Sequence, residues 1–191
     1  MIARETERTK GRFGMLRIMA CLVLALSLAV PATLHADDGV VVTVTGRVGK
    51  PNRSPFDSFS DGFFAHYDIS FGKAHAFSRQ DLERLGMHSI VLSYPNWSKP
   101  VTFRGPRLAA VLAAAGAAGD KISVQALDGY VAEFPGGFAK NAQVILAIEA
   151  DGHPLGVGGR GPAWLVFPRD LQPEKVDDAG LVWAVFHIKV E

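Results

Sequence analysis

The sequence predicts an α+β domain: a mixed or mainly antiparallel sheet with a few short, local helices. Three observations predict it. β-Branched and alternating runs outnumber helical periodicities, beginning with residues 40–48 (VVVTVTGRV). The helical stretches are short, and glycines at Gly86 and Gly116 stop them. Two Asp-Gly dipeptides, Asp128-Gly129 and Asp151-Gly152, sit between apolar runs where tight turns form. Strands therefore outnumber helices, and helices do not alternate with them as in a doubly wound fold.

Ahead of that domain, residues 18–30 (IMACLVLALSLAV) are almost wholly aliphatic and follow Arg4, Arg8, Lys10, Arg12 and Arg17. A basic segment, an apolar segment too short to span a bilayer and a small-residue exit ending at Ala36 predict a cleavable signal peptide over residues 1–36. The domain then runs over 37–191, in the periplasm. Removing the leader leaves 15 Lys and Arg against 17 Asp and Glu, with the cations scattered, so the charge pattern excludes nucleic-acid binding. The one cysteine, Cys21, departs with the leader, leaving no thiol for a disulfide or a metal.

Along the domain, residues 40–48 read as a buried strand and residues 49–66 as an irregular arm. Tyr67, Ile69 and Phe71 alternate with polar neighbours as in a short strand. Ser78, with Asp81 three residues on and Phe77 and Leu82 around them, carries the capping box and staple of a helix start. Residues 88–93 read as a strand that the loop at residues 94–100, with two prolines, ends. Gly105-Pro106 reads as the start of a second helix bearing Leu108, Val111 and Leu112 on one face. Strands follow at 121–126, 130–134, 144–149, 164–167 and 181–190.

The usual catalytic signatures are missing: no HExxH, CxxC, GxSxG or P-loop lysine occurs. The histidines His66, His75, His88, His153 and His187 are far apart, with no metal-ligand spacing among them. The glycine-dense residues 156–162 could bring backbone amides and Arg160 to an anion, or form a plain hairpin connection. Asp128-Gly129-Tyr130 reads as a tight turn, and Trp97, Phe103 and Trp164 as core or lid aromatics.

Taken in order, Phe103-Arg104-Gly105-Pro106-Arg107-Leu108, Asp128-Gly129-Tyr130, Asp151-Gly152-His153-Pro154-Leu155, Gly161-Pro162-Ala163-Trp164-Leu165-Val166-Phe167-Pro168 and Trp183 with Ile188 resemble the sulfite-oxidase-type molybdopterin domain. The small exported, single-domain members are most similar. The resemblance implies their mixed-sheet fold and a pterin-sized cleft between loops. In catalytic members a cysteine thiolate binds molybdenum just after the strand matched by residues 88–93, whereas this chain reads Leu92-Ser93-Tyr94. Near Trp164 the family tends to carry a cofactor-contacting arginine. Such enzymes also leave the cytoplasm folded, behind paired arginines, and this leader has none.

Three functions stand open on this reading. The first is a binding module for a free pterin, without bound metal. Trp97, Phe103, Tyr130 and Trp164 would then supply stacking faces, Asp128 an acceptor for the 2-amino and N3 edge, and Arg104 or Arg160 a contact to the ring carbonyl. By resemblance such a protein responds to pterins and pairs with a membrane-bound sensor. The second is a molybdopterin-dependent oxidoreductase with non-cysteine ligation. The third is a scaffold with an empty cleft.

Overall fold

The computed structural model describes residues 39–171 and 177–191; the expected signal peptide and cleavage site lie outside them. Strand β1 (Val40–Gly46) is β-branched and buried at all but its ends. It leads through an arm into helix α1 (Gly62–His66), strand β2 (Ala74–Ser78) and helix α2 (Arg79–Arg84). Strands β3 (His88–Leu92) and β4 (Val101–Gly105), helix α3 (Leu108–Ala114) and strands β5 (Ile122–Ala126) and β6 (Val131–Phe134) follow. The short strands β7 (Ile145–Ala147), β8 (Glu149–Ala150), β9 (His153–Pro154) and β10 (Trp164–Val166) precede the last strand, β11 (Val185–Val190).

The architecture is α+β, as the residue pattern predicts. A five-stranded sheet has the order β2-β1-β11-β5-β6, a four-stranded sheet the order β3-β4-β8-β9, and β7 pairs with β10. The larger sheet is mixed, because β1 and β11 run parallel while its other pairs are antiparallel. In register, Val44, Ile188 and Val124 lie side by side and enter the main core with Leu82, Leu108 and Val111. Thr43, His187 and Gln125 form the adjoining row. All three are buried, near a second small core of Phe64, Phe71, Ala74 and Phe186 built by the arm.

The helix start at Ser78 forms as its spacing requires. The Ser78 hydroxyl accepts from the Asp81 amide at 3.1 Å, and the Ser78 amide donates to the Asp81 carboxylate at 3.0 Å. The bond from the Ser78 amide, with a second from the Ser78 hydroxyl at 2.8 Å, holds the Asp81 carboxyl below its ordinary pKa. Phe77 and Leu82 are both buried, completing the staple. Ser78→Ala should cost about 1 kcal/mol of stability, measured by urea denaturation, because it removes the acceptor for an otherwise unpaired helix amide.

Five elements differ from the sequence reading. Residues 62–66 of the stretch read as an irregular arm form helix α1, and the strand read at 144–149 is divided into β7 and β8, which belong to different sheets. Tyr67, Ile69 and Phe71 form no strand: Asp68 takes a left-handed φ of 56° that breaks extension, and the three side chains pack into the small core instead. Helix α3 starts at Leu108 rather than at Gly105-Pro106, because the chain stays extended beside β7. A Cβ on Gly105 would overlap the Leu146 carbonyl, and the Leu146 amide donates to the Pro106 carbonyl at 3.0 Å. The last strand begins at Val185, not at residue 181. Ala184 has φ 51°, so the preceding residues turn toward β10, where the Leu165 amide reaches the Val182 carbonyl at 2.8 Å. That turn leaves Trp183 at the surface, 39% exposed.

Candidate functional site

The β5–β6 turn carries the first part of the site. Gly129 has φ 89°, a conformation that suits glycine, and the Tyr130 amide donates to the Asp128 carboxylate at 3.0 Å, closing an Asx turn. Asp128 has no cationic partner among the described residues. The glycine-rich loop carries the second part. Gly161 packs so closely on Leu155 that a side chain would not fit, and the Ala184 amide donates to the Arg160 carbonyl at 3.0 Å. Arg160 is thereby fixed at its backbone while its guanidinium reaches across the Trp164 ring, 4.7 Å from the centroid.

Asp128, Tyr130 and Arg160 line one cleft of about 300 Å³, together with Asp178, Leu181 and Trp183. Sequence reasoning did not select Asp178 or Trp183 as site residues. Trp183 is part of the motif order that carries the resemblance, but only the Ala184 turn shows that its ring faces out. For Asp178 the sequence offers only an acidic doublet, Asp177-Asp178.

Asp178 ties the cleft to the loop at residues 94–100. It accepts from the Trp97 indole nitrogen at 2.7 Å and from the Asn96 amide at 2.6 Å, and Arg160 stands 3.5 Å away. Partial burial raises its pKa, but the Trp97 and Asn96 bonds and the Arg160 charge outweigh that, so the carboxyl sits below its ordinary range. It therefore stays ionised at neutral pH.

The remaining candidates do not line this cleft. Phe103 is fully buried and Trp164 is 5% exposed; their rings meet edge to face at 5.0 Å inside the main core. Trp97 is half-buried against Trp164 and holds Asp178 from behind. Arg104 points away from Phe103, as alternate residues of a strand must, and pairs with Glu149 at 2.9 Å. In the folded chain these four residues stand in core, latch and surface-pair positions rather than on this cleft.

The position where the resemblance would put a molybdenum-ligating cysteine holds no soft donor. Ser93 is exposed, and Tyr94 is buried in the Trp97 cluster, where desolvation and then the Asp178 charge raise its pKa. A neutral phenol and a serine hydroxyl are hard, weak ligands, unlike the thiolate of the catalytic enzymes. Among the described residues no three His, Cys, Asp or Glu side chains cluster as a metal site.

The fold and the cleft thus define an α+β domain with a small, mixed-polarity surface site. No protein-family model matches the chain, and no curated protein matches it.

Proposed function

We propose that this chain is an exported ligand-binding protein whose cleft takes a free pterin, and that it signals to a membrane-bound sensor. The observation that carries the reading is the convergence in one cleft of an unpaired carboxylate, a guanidinium and two partly exposed aromatic rings. Asp128 offers two acceptor oxygens to the 2-amino and N3 donors of the pterin edge, one of them free of the Tyr130 amide. Tyr130 and Trp183, 43% and 39% exposed, offer faces to the bicyclic ring. Arg160 keeps donors beyond its single Asp178 contact for the ring carbonyl. A volume of about 300 Å³ is at the small end for ligand clefts, which suits a bicyclic ring.

Isothermal calorimetry with biopterin and 7,8-dihydrobiopterin tests this. Wild-type protein should bind at least one of them with a Kd below about 100 μM, corresponding to roughly 5.5 kcal/mol. Trp183→Ala removes a stacking face, and Asp128→Asn presents one donor and one acceptor to a two-donor edge. Each should weaken binding about ten-fold or more while leaving the melting temperature nearly unchanged, since both side chains are at the surface. Absence of wild-type binding, or losses that follow the melting temperature, would reject the site.

A further inference from the structure

The turn that carries Asp128 is held by a residue from the arm side of the sheet. Tyr67 caps the C-terminal end of helix α1, where its amide reaches the Phe63 and Phe64 carbonyls at 3.3 and 3.2 Å. Asp68 then takes its left-handed φ, and the Ile69 amide returns to the Phe64 carbonyl at 2.8 Å. These bonds close the helix end and fix the direction in which Tyr67 leaves it. The Tyr67 ring is half-buried against the small core, with its centroid 5.9 Å from that of Phe186 and 4.8 Å from that of His66.

From there the side chain grips the β5–β6 turn at two points, one on each side of Asp128. Its hydroxyl donates to the Leu127 carbonyl, in the peptide group that leads into Asp128. Its ring lies against Gly129, where an added Cβ would stand 3.1 Å from the Tyr67 Cε1. A side chain at residue 129 would press on the ring as well as strain the φ of 89°. The hold continues into the rest of the cleft. The Leu127 amide donates to the Ala184 carbonyl at 2.9 Å and the Ala184 amide to the Arg160 carbonyl at 3.0 Å, so Leu127 is tied to the segments that carry Trp183 and Arg160.

Asp128 itself is exposed and has no cationic partner among the described residues, so the backbone of the turn is what aims it. Within the turn the Tyr130 amide takes one carboxylate oxygen, which orients the group relative to that backbone. Tyr67 fixes the backbone, and with it the direction of the other oxygen.

We propose that Tyr67 is a positioning residue for the cleft: by clamping Leu127 and Gly129 it aims the Asp128 carboxylate, and so gives the site its selectivity for a ligand edge that carries two donors. The ligand half of this inference rests on the pterin reading, whereas its first measurement needs no ligand. A pterin presents an amino group at C2 beside the N3 hydrogen. Lumazine presents a carbonyl oxygen at C2 instead, which a carboxylate held in place repels and a carboxylate free to swing can avoid.

Tyr67→Phe removes the hydroxyl and keeps the ring, so the packing on Phe186 and Gly129 survives and the protein stays folded. In NMR relaxation of the ligand-free protein, this variant should lower the amide order parameters of Asp128, Gly129 and Tyr130 from about 0.85 toward about 0.6 and leave those of Val44 and Ile188 unchanged. In calorimetry, wild-type protein should prefer pterin to lumazine by about ten-fold, and Tyr67→Phe should reduce that preference to about three-fold or less through weaker pterin binding. Added to Asp128→Asn, where the second acceptor is already gone, Tyr67→Phe should change pterin affinity by less than about two-fold, because a residue that acts through Asp128 has nothing left to aim. A merely structural tyrosine would weaken both ligands alike and in both backgrounds. That result, or order parameters that Tyr67→Phe leaves unchanged, would overturn the proposal. Wild-type protein that binds neither ligand would reject the pterin reading and the selectivity with it, and a turn that loosens all the same would support the hold of Tyr67 on Asp128 independently.

Discussion

Trp164→Ala should destabilise the protein by about 3–5 kcal/mol, enough to consume much of the stability of an ordinary domain. The ring is 5% exposed and sits at the junction of β10 with the Trp97 and Phe103 cluster, at centroid distances of 6.0 and 5.0 Å. Its removal leaves a cavity that Leu165 and Phe103 cannot fill without moving the β7–β10 pair, and it takes away the face on which Arg160 rests. The indole nitrogen is buried with no hydrogen-bond partner among the described residues. The loss is therefore one of packing, and Trp164→Phe, which discards that unpaired donor, should recover most of the stability. Urea denaturation of the three proteins checks both expectations. A Trp164→Ala protein of wild-type stability would return this ring to the ligand-contact role that sequence reasoning assigns it.

That case shows which parts of the fold and cleft are legible in the residues. The capping box at Ser78, the turn at Asp128-Gly129 and the stop at Gly116 are local, each decided within a few residues, and all form as their spacing dictates. Aromatic identity is another matter. Trp97, Phe103, Tyr130 and Trp164 are alike in sequence as possible stacking faces, and only tertiary packing separates two buried rings and a half-buried one from Tyr130, which faces a cleft beside the unselected Trp183. Trp183 faces out because Ala184 turns the chain from one sheet to another, a left-handed φ that a non-glycine residue does not advertise. Arg104 shows the converse limit. Next to Phe103 in sequence, it lies on the opposite side of β4, so adjacency in a motif carried it away from the cleft.

Asp178 shows why the cleft itself was only half legible. Its carboxylate connects two segments some eighty residues apart, and nothing local marks it as the acceptor for Trp97 and Asn96. In the folded chain it ties the 94–100 loop to the cleft wall, with the Trp97 indole supplying a donor rather than the stacking face that the sequence predicts.

Stability should fall between pH 7 and pH 5, ahead of any general acid unfolding, and His187 should be the cause. The ring is 4% exposed, bonded through Nε2 to the Thr45 hydroxyl at 2.7 Å and packed edge to face on Phe64. Desolvation, helped by the Lys189 charge, lowers its pKa from 6.5 to about 4. The sign follows from proton binding. Between these values the unfolded chain takes up a proton that the folded chain refuses, so the contribution is fully present above pH 6.5 and is lost as pH falls toward 4. The full difference corresponds to about 3 kcal/mol, of which about 2 kcal/mol is lost by pH 5. Asp81 and Asp178, whose carboxyls are held below 3.8, add their own losses only near and below that value, so they do not obscure the pH 5 measurement. His187→Gln keeps a group able to bond Thr45 but cannot titrate. Urea midpoints at pH 7.5 and pH 5 should therefore converge for the variant and separate for the wild type. An equal drop in both proteins would place the acid sensitivity elsewhere and show that the buried imidazole takes up its proton without opening the arm that covers it.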